Sequence, residues 1–142
     1  MAGRDPFAAA AAEEELVAAA CAAAARWVPG AEAELHALAA AHLATATALT
    51  RTATARPRRW RAFYAGLQAM LAAAVGTELG ALTWLRKQEQ RLLDVYVALE
   101  GSSTLTAMER QRLRFELVPT AFERFGRVDR WIMRREEQGA YA

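Results

Sequence analysis

The sequence predicts an all-α domain: four long helices in a bundle, with a helical crossover between two helical hairpins. Three observations carry that expectation. Alanine fills 36 of 142 positions, isoleucine appears once and asparagine never. Alanine and leucine favour helix, whereas strands want β-branched residues, which argues against a sandwich, a barrel or a doubly wound sheet. Apolar residues recur three and four apart, the period of a helix face. Proline and glycine cut the chain into long pieces instead of short ones. At 142 residues and 15.5 kDa there is room for one core and one domain. An apolar fraction of 54% with 24% charged residues marks a globular chain.

Asp5 followed by Pro6 reads as an N-cap and a first helical residue. The first helix is expected to run to about Trp27, where Val28-Pro29-Gly30 stops it. A second runs from about Ala31 to Ala53, closed by Arg56-Pro57. A third apolar stretch follows to Val75. Gly76 is expected to end or bend it, and Thr77 to cap a fourth helix that reaches Glu100. Gly101-Ser102-Ser103-Thr104 is a turn. Thr106 and Glu109 have capping-box spacing and open a last helix to about Glu136, with an early kink at Pro119. Residues 1–5 and 138–142 are expected to fray.

The inward stripes follow from the spacing. The second helix offers Leu35, Leu38, His42, Thr45 or Ala46, and Leu49. The fourth offers Leu82, Leu85, Glu89, Leu92, Tyr96 and Leu99, and the last Leu113, Leu117, Ala121, Phe125, Val128 and Ile132. The stretch over about 58–76 is explained if it returns the chain along the bundle. Nineteen helical residues cover about 28 Å at 1.5 Å per residue. A long crossover between hairpins is the ferritin-like arrangement.

The net charge of +2 is too mild to imply nucleic acid. Residues 1–50 hold two arginines and six acids, and residues 51–142 sixteen bases and ten acids. The lone Cys21 makes no internal disulfide and is read as a small buried apolar residue outside any metal cluster. The apolar run at 7–12 is cut by Glu13, Glu14 and Glu15, so no signal peptide is read. No window has the roughly 20 apolar residues of a spanning helix. The expected location is cytoplasmic, with peripheral contact to the inner face of a membrane as an extension.

Bundles of this kind hold two metal ions with one Glu from each of two helices and Glu-x-x-His from each of the other two. Only a fragment of that set is visible. Glu89 and His42 lie on seams, Glu13 or Glu15 faces inward from the first helix, and the last helix has no histidine. His36 lies off the stripe. One histidine and two carboxylates do not fill the coordination of two iron or manganese ions. The bland readings are a core His42 with one hydrogen-bond partner, and a Glu89 that is paired with His42 or an arginine, protonated, or turned to solvent. Tyr96, Trp84 and Trp131 read as packing, with polar tips near the surface.

Arg51, Arg56, Arg58, Arg59 and Arg61 fall within eleven residues that contain no acid. Trp60, Phe63, Tyr64, Leu67, Met70, Leu71 and Ala74 then share one helical face. Arginines beside aromatics suit a lipid interface, so Arg56, Arg58, Arg59, Trp60, Phe63, Tyr64 and Leu67 are membrane- or lipid-contact candidates. The alternative is that this face packs on the bundle and the arginines are solvated.

Several stretches resemble demethoxyubiquinone hydroxylase, a membrane-associated diiron member of the ferritin-like superfamily in ubiquinone biosynthesis. They are His42-Leu43-Ala44-Thr45, Arg56-Pro57 with Trp60, the apolar stretch with Gly66 and Gly76, and Glu89 with six residues between it and Tyr96. The tail over 127–141 is loosely similar, and about half of the chain is covered. The departures fall on the chemistry. Where that family has Glu-x-x-His, this chain has Ala46-Thr47-Ala48-Leu49 and Phe122-Glu123-Arg124-Phe125, and Val95 stands where a histidine is usual. Glu89 matches a family ligand, and one of Glu13 to Glu15 matches another.

The resemblance implies the fold and argues against the reaction. The expectation is a non-catalytic bundle, its middle filled with hydrocarbon, acting as a binding or accessory protein for a quinone-like or prenylated apolar ligand. No metal or other cofactor is expected. One alternative is a diiron or dimanganese oxidoreductase with an altered site at Glu15, His42 and Glu89. Another is a structural subunit of a homo- or hetero-oligomer.

Overall fold

A computed structural model of the protein describes the backbone of residues 5–49 and 59–140, and the side chains of 5–49 and 78–139. It is all-helical over those residues. Helix α1 spans Ala8–Ala25, α2 Glu32–Leu49, α3 Arg59–Glu100, α4 Ala107–Arg112 and α5 Val118–Ala140, with a π-helical turn, Leu113–Leu117, joining the last two. Because α4, the π turn and α5 share helical backbone at their junctions, they make one continuous rod. Four helical rods result.

The Asp5 Oδ1 accepts from the Phe7 N–H at 3.0 Å, but the N-cap of α1 is Phe7, which offers no side-chain cap, so the helix starts two residues after the expected Asp5-Pro6 start. The helix ends at Ala25, two residues short of the expected stop. Gly30 carries the reversal at φ +85°, a conformation that costs other residues a steric clash. Glu32 and Glu34 lie in the first turn of α2, where negative charge meets the positive end of the helix dipole. The short connection folds α1 and α2 into a hairpin, and α1 also packs on α3.

Gly76 does not end a helix. Helix α3 continues through it for 42 residues, about 63 Å at 1.5 Å per residue. A continuous helix does not reverse, so the expected separate return over 58–76 is replaced by the first half of a single rod. One interior glycine costs only about 1 kcal/mol, and the alanine- and leucine-rich flanks supply the propensity to pass it. The expected second-helix end at Ala53 and Arg56-Pro57 lies outside the described residues. So do Arg56 and Arg58 and the side chains of Arg59, Trp60, Phe63, Tyr64 and Leu67. Among the described residues no helix is long and apolar enough to cross a membrane.

The turn after Glu100 and the capping box are both present. The Thr106 N–H donates to Glu109 Oε1 at 2.9 Å, and the Glu109 N–H donates to Thr106 Oγ1 at 3.1 Å. The π turn answers the problem posed by Pro119. The proline ring would strike the carbonyl four residues back, and one widened turn absorbs the clash. There the Val118 N–H reaches the Leu113 carbonyl. Helix α5 then continues to Ala140, so positions 138–140 are helical where fraying was expected.

Three ion pairs set α3 against the last rod: Glu78 with Arg135 at 3.0 Å, Arg86 with Asp129 at 2.8 Å and Glu100 with Arg114 at 3.0 Å. Rising numbers on α3 meet falling numbers on the partner, so the two run antiparallel. Such exposed pairs contribute at most about 1 kcal/mol each; burial holds the bundle together. Leu35, Leu38, Leu82, Leu85, Leu92, Leu113 and Val128 are all fully buried. The stripes of α2 and α3 match the expected ones. On α5 the inward positions are Ala121, Arg124, Val128 and Trp131, with Phe125 only half-buried.

Candidate functional site

Each of the four rods sends one charged or ionisable side chain into the middle of the bundle. Glu14 comes from α1, His42 from α2, Glu89 from α3 and Arg124 from α5, and they are the buried charged residues of the described chain. The middle is therefore not filled with hydrocarbon, which corrects that expectation.

His42 is the hub. Its Nδ1 stands 2.5 Å from Glu14 Oε2, and its Nε2 stands 2.7 Å from Glu89 Oε1. The Tyr96 hydroxyl donates to Glu14 Oε1 at 2.6 Å. Arg124 Nη1 is 3.3 Å from His42 Nδ1 and 3.5 Å from Glu14 Oε2. Arg124 Nη2 donates to Thr45 Oγ1 at 3.1 Å and to the Ala41 carbonyl at 3.4 Å. Burial by itself would lower the pKa of His42. The neighbouring Cys21, the hydrogen bonds with Glu14 and Glu89 and the Glu89 charge outweigh it and hold the ring at about 11. With both ring nitrogens protonated and aimed at carboxylates, Arg124 Nη1 finds its acceptor in Glu14, not in the ring. Burial first, and then the Glu14 carboxylate, push the Tyr96 phenol well above its ordinary value, so Tyr96 stays a neutral donor.

Two formal negative charges thus face two formal positive ones. Such an arrangement tolerates burial because every charge is matched and hydrogen-bonded. One atom breaks the pattern: Glu89 Oε2 is buried with no hydrogen-bond partner. Beside it, Cys21 Sγ, a His42 ring nitrogen and a Glu89 oxygen all lie within 4.8 Å of one another. Burial, the largest influence, raises the Cys21 thiol pKa.

Several expectations need correcting. The inward acid of α1 is Glu14; Glu15 and Glu13 are half-buried outside the network. Three glutamates in a row leave the helix phase open, and alanine on every face of α1 gives no apolar stripe to settle it. Val17 and Cys21 carried the missing signal, since steps of three and four back from them land on position 14. His42 has two carboxylate partners, not one. The Tyr96 hydroxyl points into the core, not to the surface. Cys21 is buried as expected but belongs to a three-donor group. Arg124 went unread as an inward residue because Phe125 is the apolar choice four residues after Ala121. A step of three fits the same helix and places the guanidinium inside. His36 is exposed, and Glu89 pairs with His42, one of its four expected outcomes.

Beside the network lies a surface cavity of about 340 Å³ between α2 and the last rod. Glu14 and Arg124 form its inner wall. Ala44, Ala48, Arg112 and Thr120 are also part of its lining.

A two-metal centre of the type the resemblance implies does not fit these residues. Glu14, His42 and Glu89 are carboxylate and imidazole donors, but the Arg124 guanidinium is a fixed cation against the first two. A second metal ion beside it would meet like charge in a buried site, where such repulsion is strong. No step through a two-metal centre follows from this arrangement. Comparison with family models, with curated proteins and with solved structures finds no match to this chain.

Proposed function

We propose that the protein is a non-catalytic helical bundle that works as a binding or accessory protein, with the cavity beside Arg124 as its ligand site. The observation that carries this reading is the guanidinium 3.5 Å from Glu14 Oε2. It supplies positive charge to the polar centre from the chain itself, which favours a permanent structural role for that centre over a two-metal reaction.

The cavity lining supports a small ligand with oxygen acceptors on an apolar ring, such as the head of a quinone-like molecule. Arg112, Arg124 and Thr120 are donors, and Ala41, Ala44 and Ala48 form an apolar side, with Glu14 and Glu116 also in the lining. Titration calorimetry with a water-soluble short-chain benzoquinone tests it. Saturable binding is expected, and Ala48→Trp, at an exposed position, is expected to fill the cavity and abolish binding without lowering the melting temperature. Absence of saturable binding, or binding indifferent to that substitution, overturns the reading. Peripheral membrane contact through Arg56, Arg58, Arg59 and Trp60 belongs to the same proposal and rests on the sequence pattern alone.

A second reading, a subunit that buries surface in an oligomer, is favoured by the exposure of Met108 at 80%, Phe115 at 71% and Phe122 at 65% on the last rod. Exposed large apolar side chains on one element often mark a contact surface.

A further inference from the structure

We propose that Cys21, His42 and Glu89 form a binding site for a single divalent transition-metal ion of the zinc class, distinct from the two-metal arrangement that the sequence resemblance implies. Four observations converge on it. The three donor atoms lie within 4.8 Å of one another, and each residue is fully buried. Ligand atoms on one tetrahedral zinc stand about 3.3–3.6 Å apart, given bonds of roughly 2.0–2.3 Å, so small side-chain adjustments close the set onto an ion. Thiolate, imidazole and carboxylate together suit zinc-class ions better than magnesium or calcium, which take oxygen alone. Glu89 Oε2, the buried oxygen with no hydrogen-bond partner, gains one as a ligand.

The surroundings have the form of a metal site's outer shell. A ligating histidine commonly gives its other ring N–H to a carboxylate, which fixes the tautomer and strengthens the ligand. Here Nδ1 faces Glu14 at 2.5 Å, and Glu14 is itself held by the Tyr96 hydroxyl at 2.6 Å. The Nε2 side, towards Glu89, is left for the ion.

Charge bookkeeping favours the exchange. Without an ion the buried group carries Glu14 and Glu89 as anions, His42 and Arg124 as cations, and a neutral Cys21 thiol, for a formal sum of zero. Binding of a divalent ion displaces the Nε2 proton and the thiol proton to solvent. Two charges enter and two leave, so the sum stays zero and no uncompensated charge is buried. Arg124 keeps its place against Glu14 throughout. The site does not depend on what occupies the neighbouring cavity.

Cobalt(II) is the probe, because a Co–thiolate bond gives a near-ultraviolet charge-transfer band. Chelator-stripped protein is titrated with Co²⁺ both folded and during refolding, which removes slow entry to the buried site as a confounder. One Co²⁺ per chain is expected, with a thiolate charge-transfer band that Zn²⁺ abolishes by displacement. Cys21→Ala is expected to lose the band and at least tenfold in affinity while keeping its helical circular dichroism. Cys21→Ser should lose the band as well. Glu89→Gln should weaken binding about tenfold, the scale of single-ligand and outer-shell losses, and Glu15→Gln should change nothing. Binding of less than half an equivalent under both protocols, or Cys21→Ala binding Co²⁺ as tightly as the wild type, overturns the proposal.

Discussion

The apolar part of the core and its charged centre are built on opposite principles. At Leu35, Leu38, Leu82 and Leu85 the helices meet through hydrocarbon. That attraction is non-directional and scales with area, about 25 cal/mol per Å². At Glu14, His42, Glu89 and Arg124 they meet through charge, and each group is tolerable only because its partners are present. The first kind of contact loses stability in proportion to what is removed. The second fails as a unit, because removing one member leaves the others as unpaired buried charges. The difference shows which contacts hold the helices together and which decide how they face one another: many leucine registers bury similar area, but only one brings a glutamate to each side of a single imidazole.

The sharpest way to break the comparison is to substitute His42. His42→Ala strands Glu89 and takes one partner from Glu14, and its unfolding free energy in urea is expected to fall by about 3–5 kcal/mol. Replacing Glu14, His42, Glu89 and Arg124 together by apolar residues of similar volume is expected to be far less harmful than the single change, and neutral or stabilising by about 1–4 kcal/mol. If the quadruple variant is the less stable of the two, the centre contributes net stability of its own. Leu85→Ala, the hydrocarbon control, is expected to cost about 2–5 kcal/mol, with no rescue from its neighbours.

A further effect appears with pH. In the ion-free protein His42 is held at about 11 against an ordinary 6.5, so the folded state binds a proton that the unfolded chain releases. The stabilisation is complete below about pH 6.5 and is lost progressively as pH rises through about 11. Urea midpoints should therefore fall between about pH 7 and 9 in the wild type and lose that slope in His42→Leu; above about pH 9 the raised Cys21 and Tyr96 groups add a slope of the same sign. A slope unchanged by the substitution removes His42 as its source. The smallest effect belongs to the periphery, where Thr106→Ala opens the capping box at the start of α4 and is expected to cost about 1 kcal/mol in the same urea measurement.

Much of the architecture was legible before any coordinates. Composition excluded sheet structure, Gly30 and the Gly101 turn marked reversals, and Thr106 with Glu109 marked a helix start. The stripes of α2 and the later part of α3 placed His42 and Glu89 inside. The stripe method failed where its signal was weak or misleading. On α1 alanine lies on buried and exposed faces alike, so periodicity carried no phase and the choice among Glu13, Glu14 and Glu15 stayed open. On α5 an apolar rule preferred Phe125 to Arg124, although helix geometry allows either. The continuity of α3 through Gly76 was hidden for a different reason: a glycine weakens a helix without forbidding it.

What the amino-acid sequence determined by itself is local: helix content, the capped start of α4, the reversals, and which side chains of α2 and α3 face inward. These follow from interactions within about four residues, which the chain states directly. What only tertiary structure decided is the partnership of Glu14 with His42 across 28 residues, of His42 with Glu89 across 47, and of Arg124 with Glu14 across 110. A buried charge is unacceptable alone and acceptable in company, and its company is chosen by how the rods pack.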